Sequence, residues 1–397
     1  MPEAVITHAV RTPIGKFLGS LSDVSAVELG TFATVGLLSR AAIDGNDVDE
    51  LLFGHARQLG SGPNPARQVA IRAGLPEACP AQTLNRACGS GLESIVQAAR
   101  MIQTGEASCI VAGGMESMTN MPFLLPEFRR GYRLGHGRVL DGTYTDGFEC
   151  RLIGEPMGKT AEYLADEHAL TREEQDAYAL RSFERWEAAE DAGRFDDERL
   201  TLEWTDKKGR SHSFGTDEHG RRGTTLEKLS KLPPVFRSAD EGGTVHAGNS
   251  SGITDGAAAV LVTSRDYAVT HGLEVLASVE AWSRAGVSPR LMGRGPVPAV
   301  QDLCQKLDVT VDDFDLIELN EAFAAQVIAC DRELGLPGDR LNVNGGAIAL
   351  GHPIGCTGTR IVVTLLHELK RRNGARGLAT LCISGGQGMA VAFRRDP

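Results

Sequence analysis

The sequence predicts an α/β protein with two sheet-and-helix regions and a polar, largely helical segment set between them. Three observations carry this: a strand–helix–strand cadence over the first 118 residues, its return after Gly252, and three glycine-rich turns that each hold a reactive side chain. The expected division is a first domain over residues 1–118 and 251–269, an insert over 119–250, and a second domain over 270–397.

The chain opens with AVITHAVRTPIG, a short strand running into a Pro/Gly turn. Residues from Ser25 to Ala42 keep their apolar positions on one side at helical spacing, and Asp49 to Phe53 enter a second strand. The run QTLNRACGSGLESIVQAARMIQTGEASCIVAGGMES then reads as strand, turn at Gly89 and Gly91, helix from Leu92 to Ile102, and strand from Ser108 to Ala112. Such βαβ units gather ligands at their strand ends.

Within the insert, LTREEQDAYALRSFERWEAAEDAGRF is the strongest helix signal. Thr171 caps it, Glu174 lies three residues on, and Gly193 suits its stop. DGAAAVLVTS is apolar enough for a buried strand or a helix, and periodicity leaves both open. The last third holds VDDFDLIELNEAFAAQVIACDRELG, the glycine-rich LNVNGGAIALGHPIGCTGTRIVVTLLHELKRR, and ARGLATLCISGGQGMAVAFRR, where two strands flank a glycine turn.

Composition narrows the function. A net charge of −11 repels polyanions, so a nucleic-acid role needs a dense basic patch, and none is present. The eight cysteines include no pair at the two-residue spacing of zinc or redox motifs. The N-terminus reads as no secretory signal and no apolar run reaches a membrane span, so a reducing, cytoplasmic setting is expected.

The chemistry-bearing candidates sit in the three turns. Cys88, in ACGSG, follows a strand and precedes a helix whose N-terminus favours a thiolate; an inert core cysteine is the competing reading. His352, in GGAIALGHPIGCTG, lies in a segment too glycine-rich for a core helix, and near its ordinary pKa it could take a proton from a thiol. Cys382 opens CISGGQG; with Cys88 and His352 it could bind zinc, but no short-spaced ligand pair supports that. Asn320, in LIELNEAFA, could hold a water or an acyl oxygen, or simply cap the next helix above Phe323. The pair Gly113–Gly114 and the turn GNSSG could bring backbone to a ligand, and the basic stretch from Lys207 to Arg222 could grip phosphates or stay solvated.

Together the segments VRTPIG (10–15), NRACGSGL (85–92), VAGGMESM (111–118), PMGKTAE (156–162), AGNSSGITDGAA (247–258), GPVPA (295–299), NEAFA (320–324), GGAIALGHPIGCTG (345–358) and CISGGQG (382–388) resemble the thiolase family over nearly the whole chain. The resemblance implies a thiolase-like α/β fold: duplicated βαβαβαββ domains in five αβαβα layers, with an inserted loop domain. It implies thiolytic cleavage of a 3-ketoacyl-CoA by coenzyme A, or the reverse Claisen condensation, in fatty-acid metabolism. Cys88 would carry the acyl group, His352 activate it and deprotonate incoming CoA, and Cys382 move protons at the α-carbon. Asn320 would fix a water that forms one oxyanion hole with His352, and the backbone N–H groups of Cys88 and Ser384 would form the other. Met157 and Phe323 would line the acyl pocket, with Arg221 and Ser251 along CoA. The resemblance further implies no tightly bound cofactor or metal, CoA and acyl-CoA as substrates, a homodimer or homotetramer, and an optional hydratase/dehydrogenase partner.

Three positions depart from the family pattern. Ser384 stands where glycine is common, Glu155–Pro156 where short-chain biosynthetic members place a histidine, and His246 where threonine is common. The second leans toward the degradative direction. A decarboxylating condensing enzyme, or a carrier that has lost its chemistry, fits less well because Cys88, Asn320, His352 and Cys382 are all present.

Overall fold

The computed structural model describes residues 2–396. Its main strands are β1 (Ala4–Arg11), β2 (Glu50–Gly54), β3 (Ala81–Leu84), β4 (Cys109–Ser117), β5 (Thr254–Ser264), β6 (Ala277–Gly286), β7 (Leu316–Leu319), β8 (Arg376–Ile383) and β9 (Gln387–Arg394). The helices that matter here are α1 (Ala26–Ala41), α2 (Pro65–Arg72), α3 (Ser90–Thr104), α4 (Met157–Glu167), α5 (Arg172–Asp191), α6 (Pro296–Leu307), α7 (Ala324–Leu334) and α8 (Ile354–Arg372).

The strands form one sheet in the order β7-β8-β9-β6-β1-β5-β4-β2-β3. Read outward from its middle, each half repeats the same plan. β1-β5-β4 and β6-β9-β8 are antiparallel, while β2 joins β4, and β7 joins β8, in parallel. In the first half β3 adds a further parallel strand; in the second its counterpart shrinks to one bridge, Ile317 to Leu341. Within the sheet the halves pair through Val5–Ser278 and Ile6–Ala277. The five layers expected from the resemblance are therefore present, with their two sheets joined at an edge.

Helices α1 and α2 cover the outer face of the first half, α6 covers the second, and α3 with α8 lie between them. The middle layer buries Leu92, Ile95, Val96, Ile361, Val362 and Leu366, each contributing about 1.5–3 kcal/mol. Here one expectation fails. GHPIGCTG opens a helix after all, and every residue from Ile354 to Leu366 is buried. The glycines permit close packing: a Cβ on Gly358 would lie 2.3 Å from Leu92 N, and one on Gly355 2.5 Å from Met115 O. Gly113 and Gly114 are likewise inside β4, not in a ligand-binding turn, because a Cβ on Gly114 would lie 2.1 Å from Gly355 O.

The insert packs beside the second half. Thr171 accepts from the Glu174 N–H while the Glu174 carboxylate accepts from Thr171, the capping box that starts α5. At its junction with β1, Arg11 is fully buried and bonds Glu198 at 2.5 Å and Asp217 at 2.7 and 2.9 Å. No helix among the described residues is long and apolar enough to cross a membrane.

Candidate active site

The duplicated plan places Cys88 and His352 in matching positions. The chain leaving β3 turns through Cys88 into α3, and the chain leaving the Leu341 bridge turns through His352 into α8. Ala87, just before the nucleophile candidate, has a φ of 45°, and its N–H is held by Asn85 at 2.9 Å, so the turn is tightly specified. The backbone amides of Ser384 and of Cys88 itself act on the thiol in favour of its anion. Burial nevertheless pushes that thiol up, against the opposing pull of the Ser384 amide and of Arg57. Burial opposes the groups that favour the anion, because a site only 6% exposed costs a thiolate its hydration.

His352 is likewise buried, and its backbone N–H bonds Gly252 O at 3.1 Å. Thr357 Oγ1 donates to Pro353 O at 3.0 Å, so it accepts from His352 Nδ1 at 2.6 Å. That fixes the tautomer and leaves Nε2 unprotonated, with no protein partner. Burial, then the charges of Arg57 and Arg360, lower its pKa to about 3, not near the ordinary value. The resting pair is therefore neutral thiol and neutral imidazole.

Cys382 lies at the end of β8 opposite Gly388, packed with Met157, Met292, Ala322 and Phe323. Burial and then the neighbouring Cys88 hold its thiol well above the ordinary value. Ser384 causes no strain: Gly385 and Gly386 take the positive φ values, 83° and 81°. Asn320 does not cap α7, whose cap position is Phe323. Its N–H bonds Thr380 O at 3.0 Å across the parallel pair, and its buried carboxamide has no protein partner.

Two cavities meet at Met157. One, of about 660 Å³, has Asn85, Ser384 and Gly385 in its wall; the other, of about 670 Å³, has Arg221, Ser251, His219 and Phe323. The turn GNSSG ties the second to the reactive residues: Ser251 N–H bonds Ala322 O, Ala324 N–H bonds Asn249 O, and Gly252 receives His352. Of the lysines and arginines in the basic stretch, Arg221 alone lines that cavity; Arg210 pairs with Asp206 and Arg222 with Asp191. All eight cysteines are unpaired, and no group of three or more His, Cys, Asp or Glu among the described residues could hold a metal ion.

The family model described as "Thiolase, N-terminal domain" matches residues 4–266, and "Thiolase, C-terminal domain" matches residues 273–395. The chain belongs to the thiolase family. It is 49% identical over 396 residues to an acetyl-CoA acetyltransferase of Pseudomonas aeruginosa and 47% identical over 395 residues to one of Cupriavidus necator, each comparison covering 100% of both chains. Among solved structures it is similar to the Bacillus anthracis acetyl-CoA acetyltransferase (TM-score 0.96, 42% identity, covering 99% of each chain). It is similar also to human mitochondrial 3-ketoacyl-CoA thiolase (TM-score 0.94, 42% identity, covering 100% of this chain and 99% of that one).

Several residues of this thiolase site escaped sequence reasoning. Glu116 accepts from the N–H groups of Ala56 and Gly355 and so fastens the start of α8; a carboxylate inside the apolar run VAGGMES was its signal. His219 backs onto Gly252, where a Cβ would lie 2.2 Å from its ring. His246, unexplained by sequence, is fully buried and 2.6 Å from Asp176 of α5, with Nδ1 accepting from Gly248 at 3.0 Å. It pins the loop that carries GNSSG.

Proposed function

We propose that this thiolase transfers acyl groups between CoA thioesters, cleaving a 3-ketoacyl-CoA with CoA or running the reverse condensation, with Cys88 as the acyl carrier. The reading rests on one observation above others: the buried Cys88 thiol feels the Ser384 backbone amide, and the buried Cys382 thiol feels Cys88.

In cleavage, His352 Nε2 takes the Cys88 proton and the thiolate attacks the 3-keto carbon. The developing oxyanion accepts from the backbone N–H groups of Cys88 and Ser384, where fixed dipoles need no reorganisation. The bond between C2 and C3 then breaks and its electron pair leaves as the enolate of acetyl-CoA. The thioester oxygen of that enolate is held by His352 with the water that Asn320 orients, and the Cys382 thiol protonates C2. His352 still carries the first proton at this stage. Proton bookkeeping therefore assigns deprotonation of incoming CoA to the Cys382 thiolate, not to His352 as the sequence reading had it. The new CoA thiolate takes the acyl group from Cys88, and His352 returns its proton. Ping-pong kinetics follow.

Arg221 and Ser251 serve the nucleotide and pantetheine parts of CoA, and Met157 and Phe323 the acyl side; their shared cavity supports this. The degradative direction is favoured because Glu155 accepts from Tyr163 at 2.8 Å and Pro156 lacks any side-chain donor for a short acyl oxygen. A homodimer or homotetramer is supported by the free edge of β3 and the exposed Phe123, Phe128 and Leu134. A reducing cytoplasm suits the eight unpaired cysteines.

The test is burst labelling with radiolabelled acetyl-CoA. Wild type retains label on Cys88 after denaturation, and Cys88→Ser retains none; equal label in the variant ends the proposal.

A further inference from the structure

Arg360 lies on α8 one helical turn beyond Thr357, the residue that holds His352. It is 1% exposed, yet none of its three guanidinium nitrogens has a hydrogen-bond partner among the described residues. Long helix side chains lean toward the helix N-terminus, here the His352 end. The guanidinium meets Glu318 of β7, with Nη1 and Oε2 3.5 Å apart. Glu318 and Asn320 are two positions apart along the strand, so both face α8. Leu316, on that same face, joins the middle layer, while Ile317 and Leu319 pack on the other side. The guanidinium therefore stands about 7 Å behind Asn320, whose carboxamide also lacks a protein partner.

The charge is not cancelled where it stands. The acids facing the pair are Glu198 from the insert, Glu368 from α8 and Glu321 from the loop after β7. Each has its own donors: Glu198 takes Arg11, Glu368 takes Arg194, Arg371 and Arg372, and Glu321 takes Tyr178, Ser182, Asn342 and the Ile348 N–H. Glu318 itself is pushed up to about 8, by burial first and against the pull of Arg360, so near pH 7 it is a neutral acid. The guanidinium stays protonated throughout. Two arginine charges act on His352: Arg57, which acts on Cys88 as well, and Arg360, which acts also on Cys356. A buried cation without hydrogen bonds destabilises a fold, and such charges gather where chemistry uses them.

We infer that Arg360, without touching substrate, is a positioning residue of the enolate site: its guanidinium stands behind Asn320 and His352 and favours negative charge on the oxygen they hold. The inference rests on the acyl-transfer reading, because the enolate forms only in that reaction. A unit charge at roughly this range, in a medium of effective dielectric about 20, changes a rate by on the order of 30-fold.

Two partial reactions of the full chain test it. Exchange of the α-protons of acetyl-CoA with deuterated solvent reports the enolate, and radiolabelled acetyl on Cys88 reports the acyl step. Arg360→Met is expected to slow exchange by ~30-fold and labelling by less than about threefold, and Arg360→Lys, which keeps the charge, to restore exchange to within about fivefold of wild type. Equal losses in the two reactions, or a lysine variant no faster than the methionine one, overturn the inference. If Arg360→Met fails to fold, Glu318→Gln decides. Ionised Glu318 cancels Arg360 in wild type, so the exchange rate of Glu318→Gln relative to wild type must rise as pH passes about 8. Cys88 and Cys382 titrate in both proteins, so the ratio isolates Glu318. A ratio that stays flat overturns the inference, whereas a wild-type enzyme that takes no label overturns the acyl-transfer reading beneath it.

Discussion

His352 illustrates how one hydroxyl sets a residue's chemistry. Because Thr357 Oγ1 already donates to Pro353, it can only accept from Nδ1, and the basic lone pair is directed to Nε2. Thr357→Val leaves a buried N–H unpaired at about 1–3 kcal/mol, and the iodoacetamide reaction of Cys88 is expected to slow with it. His352→Gln is expected to lower kcat by about 10³ in a thiolysis assay, within the range for a lost general base. A kcat within twofold of wild type would remove His352 from the mechanism. Cys382→Ala is expected to keep acylation of Cys88 but lose solvent-deuterium exchange at the α-carbon of acyl-CoA. Exchange at the wild-type rate would contradict its role.

Burial of His352 and His219 also has a sign in stability. Burial comes first among the causes that lower them, to about 3 and about 4, from an ordinary 6.5. Below pH 6.5 the unfolded chain binds protons that the folded chain refuses. Their contribution is therefore complete above 6.5 and is lost as pH falls toward about 4 and about 3, at about 1.4 kcal/mol per unit for each group. Urea unfolding across that window should be less steep with pH in His352→Gln; equal slopes would show that the ring is not held neutral.

At the scale of elements, the loop before β5 depends on α5. Asp176 bonds both His246 and Asn249, and both partners hold the turn that receives His352 and pairs with the start of α7. Asp176→Ala is expected to cost about 3–5 kcal/mol in chemical denaturation, since it strips buried groups of their partner. It should also raise the KM for CoA more than it lowers kcat, because Ser251 moves with the loop. The capping box of α5 was legible because its signal is local, two side chains three positions apart. The nature of α8 was not, because its glycines answer to α3 and β4, which lie far away in sequence. The same distinction explains Asn320: its neighbourhood read as a cap, but strand pairing with β8 claimed its backbone first.

Across the whole molecule, the alternation of strands and helices and the membership of the thiolase family could be read from the chain alone. What could not be read was the electrostatic result of bringing them together, since the protonation of Cys88 and His352 depends on burial by both halves. Nor was Arg11 legible as a clamp. Its motif, VRTPIG, looked like a turn, yet the guanidinium binds two carboxylates more than 180 positions away. Arg11→Met should lower the urea midpoint by the equivalent of about 3–5 kcal/mol, the penalty for leaving the buried Glu198 carboxylate without its cation while Asp217 keeps Arg199. Phe128→Asp combined with Leu134→Asp should reduce the assembly mass in light scattering; an unchanged mass would place the subunit contacts elsewhere.

Within the sheet the seam between the halves is only two residue pairs wide, yet the groups proposed to react are drawn from both banks, Cys88 from the first and Asn320, His352 and Cys382 from the second. Fragments divided between β5 and β6 would each be catalytically mute, and any activity regained on mixing them would have to come through the apolar grip of α3 on α8.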